Sequence, residues 1–317
     1  MNRNNIAVNF KNPQTEFVNK SLRINKPKEP AGISDTVADS KENETIKKTY
    51  TKMIRNTKET TSKMNLAVTD FPHAFVCSIT GSRRTGKTCL CESLINEMQE
   101  NKRFDYIFLF SPTLAGFDSI PNNYKFQNLD LLPNIITRQQ ELTTYNKNAL
   151  KRDMKKNSIC LVLDDMIATG ELKNNLLMKL SLNGRHINGG DPVKTNELCT
   201  FILSQSTTGI PKKIRNNVDV MIASRLASKN DRKLLVEENM ILDSSRGGIN
   251  QAYELYDSVT LERDYSFIAL LNHISNKNDY DKYVRSYVAN IPKEKGKLRW
   301  FGDAGDWKTH KKIFNFV

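Results

Sequence analysis

The sequence predicts an α/β protein with a mainly parallel sheet covered on both faces, and two observations support this fold class. From about Asn65 onward, short apolar runs alternate with helical patterns, an arrangement typical of a parallel sheet. These runs are continuously apolar and do not alternate with polar residues, as strands buried on both faces require.

The elements follow from these patterns in chain order. We predict strands near 74–80, 106–110, 159–164, 198–204 and 218–223. Between them, helices are expected at 87–100, 136–153 and 171–182. The pattern weakens after about Ala227, where we expect a helix near 229–239, a strand near 251–257 and a helical stretch near 278–288.

Composition divides the chain into three parts. Residues 1–60 are rich in Asn, Lys, Thr and Ser with no sustained apolar period, which predicts a flexible basic and polar tail. Residues 61–228 form the expected core domain, and residues 229–317 form a small C-terminal extension.

Charge and cysteine content limit the function classes. The formal net charge of +13 suits a polyanionic partner such as DNA or RNA, although a basic surface without a partner would have the same composition. Five cysteines without metal-ligand spacing indicate reduced thiols in a cytosolic compartment. No apolar stretch approaches 18 residues, so we expect a soluble intracellular protein with no membrane-spanning segment.

An octapeptide after the first predicted strand has the pattern of a phosphate-binding loop, G-x-x-x-x-G-K-T. Its residues are Gly81, Ser82, Arg83, Arg84, Thr85, Gly86, Lys87 and Thr88. The glycines let backbone N–H groups face a polyphosphate, Lys87 adds positive charge at the β- and γ-phosphates, and the Thr88 hydroxyl can hold Mg²⁺. The helix that follows directs its positive end at the same anion. The sequence therefore predicts a site for ATP and Mg²⁺.

Two carboxylates at the end of the third predicted strand supply the second half of a hydrolysis site, of which the phosphate-binding loop is the first half. Asp164 is placed to hold the Mg²⁺ that Thr88 also binds. Asp165 is placed to orient or deprotonate the attacking water. Gln205 ends the next strand at the same edge of the sheet and is the candidate sensor of the γ-phosphate.

An arginine is also expected to stabilise the transition-state charge, and its identity stays open. Arg185 and Arg215 are candidates that would act on a neighbouring subunit, whereas Arg83 and Arg84 in the phosphate-binding loop would act within their own subunit.

Five segments together resemble the genome-packaging ATPases of poxviruses, other large DNA viruses and virophages, a branch of the FtsK–HerA superfamily. In order, they read G-S-R-R-T-G-K-T, L-V-L-D-D-M, N-G-R-H, F-I-L-S-Q-S and I-P-K-K-I-R-N-N-V-D, over about residues 70–225. The resemblance implies a RecA-like core, a ring expected to have six subunits, and ATP-driven translocation of double-stranded DNA into a capsid. It also implies a capsid or portal-like protein partner and a location in the viral factory of the host cytoplasm or in the virion.

Three other functions are compatible with the phosphate-binding loop. A terminase-like motor would add a nuclease, but the acids after Ser228 form no compact cluster in the sequence. A nucleotide-switched scaffold protein would bind ATP without turnover, which the Asp164–Asp165 pair disfavours. A small-molecule or nucleoside kinase would need an acceptor pocket and a lid.

If the protein is a packaging motor, the candidate residues for contacts with DNA are Lys194, Lys212 and Lys213.

Overall fold

A computed structural model describes residues 65–150, 158–166, 170–187, 198–242 and 245–289. The predicted tail at 1–60 lies outside the described residues, as do Lys194 and the end of the helix predicted at 136–153.

Eight strands form one sheet in the described part of the chain. They are β1 (Val76–Thr80), β2 (Tyr106–Phe110), β3 (Lys125–Phe126), β4 (Ile159–Asp164), β5 (Leu198–Ser204), β6 (Val220–Ala223), β7 (Ser266–Leu271) and β8 (Val284–Val288). The order across the sheet is β3-β2-β4-β5-β1-β6-β7-β8. The first six strands in this order are parallel, whereas β7 is antiparallel to both β6 and β8. The predicted α/β class with a mainly parallel sheet is confirmed.

Helices connect the strands. They are α1 (Lys87–Glu100), α2 (Leu132–Asn148), α3 (Asn175–Ile187), α4 (Lys212–Arg215), α5 (Lys229–Asn239), α6 (Arg246–Thr260) and α7 (Tyr280–Tyr283). The helix α2 begins one turn before its predicted start because a proline is tolerated in the first turn of a helix.

The strands of the core are buried along their whole length. Every residue of β1, β2, β5, β6 and β7 is buried, which agrees with their continuous apolar runs. Because β1, β4, β5 and β6 are parallel, their carboxyl ends meet at one edge of the sheet, and the antiparallel β7 begins at that same edge. This edge carries the residues of the candidate site.

The structure corrects the predictions for the C-terminal part. The strand predicted near 251–257 is wrong, because these residues lie within α6, where Ala252, Leu255 and Val259 are buried at helical spacing. The helical stretch predicted near 278–288 is mostly wrong, since only α7 is helical and 284–288 form β8. Strand β7 was not predicted, although its apolar run at 267–271 resembles those of the other central strands.

Candidate functional site

The loop of residues 81–88, which we call the phosphate-binding loop, joins β1 to α1 at the carboxyl edge of the sheet. The Gly81 N–H donates to the Ser204 carbonyl at 3.2 Å, which fixes the start of the loop to the end of β5. Two loop residues have left-handed backbone, Arg84 with φ 63° and Gly86 with φ 86°. Gly86 immediately precedes α1, so the loop ends at the positively polarised N-terminus of that helix.

Both glycines of the loop are required by close neighbours. A Cβ on Gly81 would overlap the Ser224 hydroxyl oxygen, which lies just past the end of β6. A Cβ on Gly86 would lie 2.5 Å from Cδ1 of Tyr265, the residue before β7, and the positive φ of Gly86 already disfavours any other residue. Residues at the ends of β6 and β7 therefore determine the shape of this loop, in addition to those at the ends of β4 and β5.

The Lys87 ammonium is partly buried among charged groups. Its Nζ donates to the carbonyls of Gly81 and Ser82 at 3.0 and 3.1 Å. Burial lowers the pKa of Lys87, whereas the charges of Asp165 and Asp164 oppose that shift. The lysine thus belongs to the same electrostatic cluster as the two carboxylates that follow β4. The hydroxyl-bearing Thr88 is the next residue of α1.

Asp164 and Asp165 occupy the end of β4 and the residue after it. Burial and the charge of Asp165 raise the pKa of Asp164 to about 6, although the positive charge of Lys87 opposes this shift. Asp165 has left-handed backbone with φ 52°, and its N–H donates to the Leu203 carbonyl of β5 at 3.2 Å. Such a conformation is uncommon outside glycine, although aspartate adopts it more readily than most residues, and it tends to occur at functional sites.

Hydrogen bonds connect the phosphate-binding loop to Asp165 through Gln205. Arg83 Nε donates to Gln205 Oε1 at 3.1 Å, and Gln205 Nε2 donates to Asp165 Oδ2 at 2.9 Å. The order of these three groups follows the order of their strands across the sheet, from β1 through β5 to β4. The structure therefore brings together an arginine, an amide and a carboxylate from three segments distant in sequence.

The other two candidate arginines lie elsewhere. Arg215 lies at the end of α4, and its Nη1 donates to the carbonyls of Ile210 and Thr207 at 2.7 and 3.5 Å, so the guanidinium contacts the loop after β5 in its own chain. Arg185 lies in the last turns of α3.

A buried carboxylate that the sequence analysis did not assign holds the segment after Gln205. Asp231, in the first turn of α5, is 4% exposed. Its Oδ1 accepts from the Ser206 hydroxyl at 2.9 Å and from the Thr208 N–H at 2.7 Å. Because Ser206 directly follows Gln205, Asp231 positions the candidate sensor. In the sequence, Ser228 stands three residues before Asp231, a spacing that indicates the start of a helix. This spacing does not indicate that Asp231 contacts the segment after β5.

Metal-ligand clusters and membrane-spanning helices are both absent from the described residues. Within the five ranges given above, no group of three or more His, Cys, Asp or Glu side chains is arranged to hold a metal ion. In the same ranges, no helix combines the length and the apolar character needed to cross a bilayer.

Several solved structures are similar to this chain. The genome packaging NTPase B204 from Sulfolobus turreted icosahedral virus 2, in complex with AMPPCP, has 10% identity and a TM-score of 0.43, covering 69% of this chain and 100% of that one. The cytoplasmic domain of the Thermomonospora curvata type VII secretion ATPase EccC has 13% identity and a TM-score of 0.47, covering 73% and 28%. The pCW3 conjugation coupling protein TcpA has 14% identity and a TM-score of 0.41, covering 76% and 64%. The comparison with curated proteins gives no match.

A family model gives the assignment. The model described as "Poxvirus A32 protein" matches residues 62–284, which include every element from β1 to α7. Because this match covers well over half of the sequence, the chain belongs to the poxvirus A32 protein family and is, as its motifs predict, an ATPase of the viral genome-packaging type.

Proposed function

We propose that this protein is a motor that hydrolyses ATP to move double-stranded viral DNA into a capsid. The observation that carries the proposal is the hydrogen-bonded series Arg83–Gln205–Asp165 beside the phosphate-binding loop. A protein that only held a triphosphate would need the loop alone, whereas hydrolysis needs a base for water and a group that responds to the γ-phosphate.

The phosphates would lie against the backbone of residues 81–88, with Lys87 at the β- and γ-phosphates. Thr88 and Asp164 fit a Mg²⁺ ion because both offer oxygen ligands, which this hard cation prefers. Burial and the charge of Asp165 disfavour the ionised form of Asp164 and raise its pKa, and a bound cation would favour that ionised form. When bound, Mg²⁺ would neutralise charge that develops on the phosphate oxygens.

In the proposed hydrolysis step, Asp165 accepts a proton from the attacking water or orients it. Gln205 is hydrogen-bonded to that carboxylate and is thus placed to link its position to the γ-phosphate. Arg83 reaches Gln205 from the opposite side and would bring positive charge to the transition state.

We favour Arg83 as the catalytic arginine that acts within its own subunit, since its guanidinium already contacts the Gln205 amide. Arg84, Arg185 and Arg215 are the remaining candidates. A subunit-mixing experiment separates them. If Arg83 is the catalytic arginine, adding Arg185→Ala or Arg215→Ala protein to wild type should lower activity by no more than dilution does, whereas a loss beyond dilution would place that arginine at a neighbour's site.

DNA is proposed to contact α4 through the exposed Lys212 and Lys213. Arg215 of the same short helix binds the carbonyls of Thr207 and Ile210, which belong to the segment that begins at Gln205. A contact of DNA phosphates with α4 could thus be transmitted to the catalytic amide. Such contacts would be independent of base sequence and would weaken steeply with salt.

The assembly around the motor is also part of the proposal. We propose a homo-oligomeric ring, expected to be a hexamer, that acts with a capsid or portal-like protein in the viral factory of the host cytoplasm or in the virion. The terminase-like motor with a nuclease and the scaffold without turnover remain the alternatives. Cleavage of DNA distinguishes the first of them, and the absence of ATP turnover distinguishes the second.

The test is ATP hydrolysis by the full chain with and without long linear double-stranded DNA. Wild type should show DNA-stimulated turnover, and Asp165→Asn should lose about 100-fold or more in kcat while it still binds ATP. If DNA does not stimulate ATP hydrolysis, the motor function is contradicted. If no ATP is hydrolysed at all, the scaffold function is favoured. Cleavage of the DNA in the same reaction would favour the terminase-like protein.

A matched pair of lysine variants tests the DNA contact. Lys213→Ala should weaken DNA binding and lower the slope of log affinity against log salt by about one. Lys102→Ala removes the same charge from an exposed residue between α1 and β2, beyond the end of α1 farther from the site, and should leave that slope unchanged.

A further inference from the structure

We propose that the segment between α6 and β7 forms the nucleoside-binding half of the ATP site, with Tyr265 and Leu261 as the walls that contact the base. The proposal rests on the proposed function in one respect, the placement of the triphosphate on residues 81–88. It assigns a ligand of defined chemistry, a purine nucleoside, to a part of the chain in which the sequence analysis found no function.

Sheet order determines on which side of the loop the nucleoside must lie. Asp165 and Gln205 follow β4 and β5, which lie on one side of β1. A triphosphate whose γ-phosphate points to these residues must therefore extend its other end across the loop toward β6 and β7. This direction leads away from the hydrolytic groups and toward Tyr265.

A cavity of about 390 Å³ lies at that place. Its volume falls in the range of about 300–1,000 Å³ that small-molecule sites occupy. The phosphate-binding loop contributes Arg84 and Thr85 to its wall, so the cavity is continuous with the proposed phosphate site. The opposite wall comes from the end of α6 and the start of β7, including Leu261 and Tyr265.

Leu261 presents an apolar surface without an evident structural reason. Its side chain is 55% exposed, one of few large apolar side chains that the described residues leave in solvent. It lies in the same wall as the Tyr265 ring, which packs against Gly86 of the phosphate-binding loop. Apolar and aromatic groups next to a few polar ones are the usual lining of a base-binding site.

The backbone of Tyr265 is held in a strained conformation at this position. Its φ is 63°, in the left-handed region that residues other than glycine rarely occupy. The Ala289 N–H donates to its carbonyl at 3.0 Å, so the segment after β8 fixes the turn. Strain of this kind is retained where the surrounding structure orients a side chain for a purpose.

Polar groups at the cavity suit a ribose and an α-phosphate. Ser224, 2% exposed, lines the cavity, and its hydroxyl oxygen has no hydrogen-bond partner among the described residues. Arg225 and Arg263 add positive charge to the wall, and the Asp264 carboxylate can accept from a sugar hydroxyl.

The test compares ATP with inorganic tripolyphosphate, which has the phosphates and no nucleoside. Binding of both to the full chain is measured by calorimetry in Mg²⁺, for wild type, Tyr265→Ala, Leu261→Asn and the control Leu150→Asn. Leu150 is an equally accessible leucine, 62% exposed, that does not line the cavity. Thermal unfolding of each variant shows whether it is folded, and the exposure of Leu261 makes Leu261→Asn well tolerated.

Tyr265→Ala and Leu261→Asn should weaken ATP about 5- to 150-fold, the range for loss of a base contact, and change tripolyphosphate affinity less than about twofold. Leu150→Asn should alter neither. Unchanged ATP affinity, or equal losses for both ligands, would overturn the proposal, because the segment would then serve no nucleoside or only support the loop. If wild type binds neither ligand, the phosphate site itself is wrong and both proposals fail. If ATP binding behaves as stated but DNA does not stimulate turnover, the motor proposal fails alone.

Discussion

Replacing Asp164 by asparagine should stabilise the metal-free protein at neutral pH while abolishing hydrolysis. Burial and the neighbouring charge of Asp165 raise the pKa of Asp164 from its ordinary 3.8 to about 6, in spite of the opposing Lys87. The folded protein therefore holds a carboxylate at pH 7 that its surroundings disfavour. Asparagine has nearly the same shape and carries no charge, so it removes this cost.

The magnitude follows from the pKa shift. A rise from 3.8 to about 6 corresponds to about 3 kcal/mol at about 1.36 kcal/mol per unit. Because the folded state binds the proton more tightly than the unfolded state, the free energy of unfolding decreases as the pH rises through the interval from about 4 to about 6. Above about pH 6 the wild type carries the full cost, and below about pH 4 it carries none.

Urea denaturation in EDTA at pH 4 and at pH 8 measures this effect. Asp164→Asn should exceed wild type in free energy of unfolding by about 3 kcal/mol at pH 8 and by nearly nothing at pH 4. Asp130→Asn, at an exposed aspartate, should match wild type at both values. A variant that is destabilised at pH 8, or equally altered at both pH values, would refute the electrostatic reasoning.

Two further predictions use matched pairs. Gly86→Ala should destabilise the protein more than Gly170→Ala does. Both residues have positive φ, but only a Cβ on Gly86 would contact a neighbour, the Tyr265 ring. Equal losses of stability in thermal unfolding would show that this contact has no effect. Tyr256→Phe should cost about 1–3 kcal/mol, because its hydroxyl bonds the Leu226 N–H and the Ser224 carbonyl at 3.0 Å each. Tyr280→Phe removes a buried hydroxyl with no partner in the described residues and should be neutral or stabilising in urea denaturation; a loss as large as that of Tyr256→Phe would contradict this.

The central sheet was predictable because local and tertiary preferences agree there. Strands β2, β4 and β5 have the bounds that their apolar runs predict, since a strand that is buried on both faces is apolar along its whole length. The helix α1 also begins where the phosphate-binding loop requires it.

The C-terminal part was less predictable for a physical reason. The residues 251–257 contain apolar and aromatic residues that suit a strand as well as a helix, and packing against β7 and α5 decides for α6. Strand β7 pairs with β6, a partner about 45 residues earlier, which no local pattern specifies.

Contacts within the candidate site were predictable in kind and not in detail. The motifs indicate an acid, an amide and arginines at one edge of the sheet. They do not indicate that Arg83 is the arginine that bonds Gln205, or that Asp231 holds the segment after it, because both contacts depend on side-chain directions in loops. The same holds for Tyr265, whose contact with the phosphate-binding loop requires β7 to lie beside β6.

The most direct test of the motor is displacement of a fluorescent third strand from linear double-stranded DNA by the full chain. Movement along the duplex should release the third strand with ATP and Mg²⁺ and not with a non-hydrolysable ATP analogue. Asp165→Asn should bind ATP and release nothing. Release with the analogue or by Asp165→Asn, or no release by a wild-type protein that hydrolyses ATP on DNA, would contradict ATP-driven translocation.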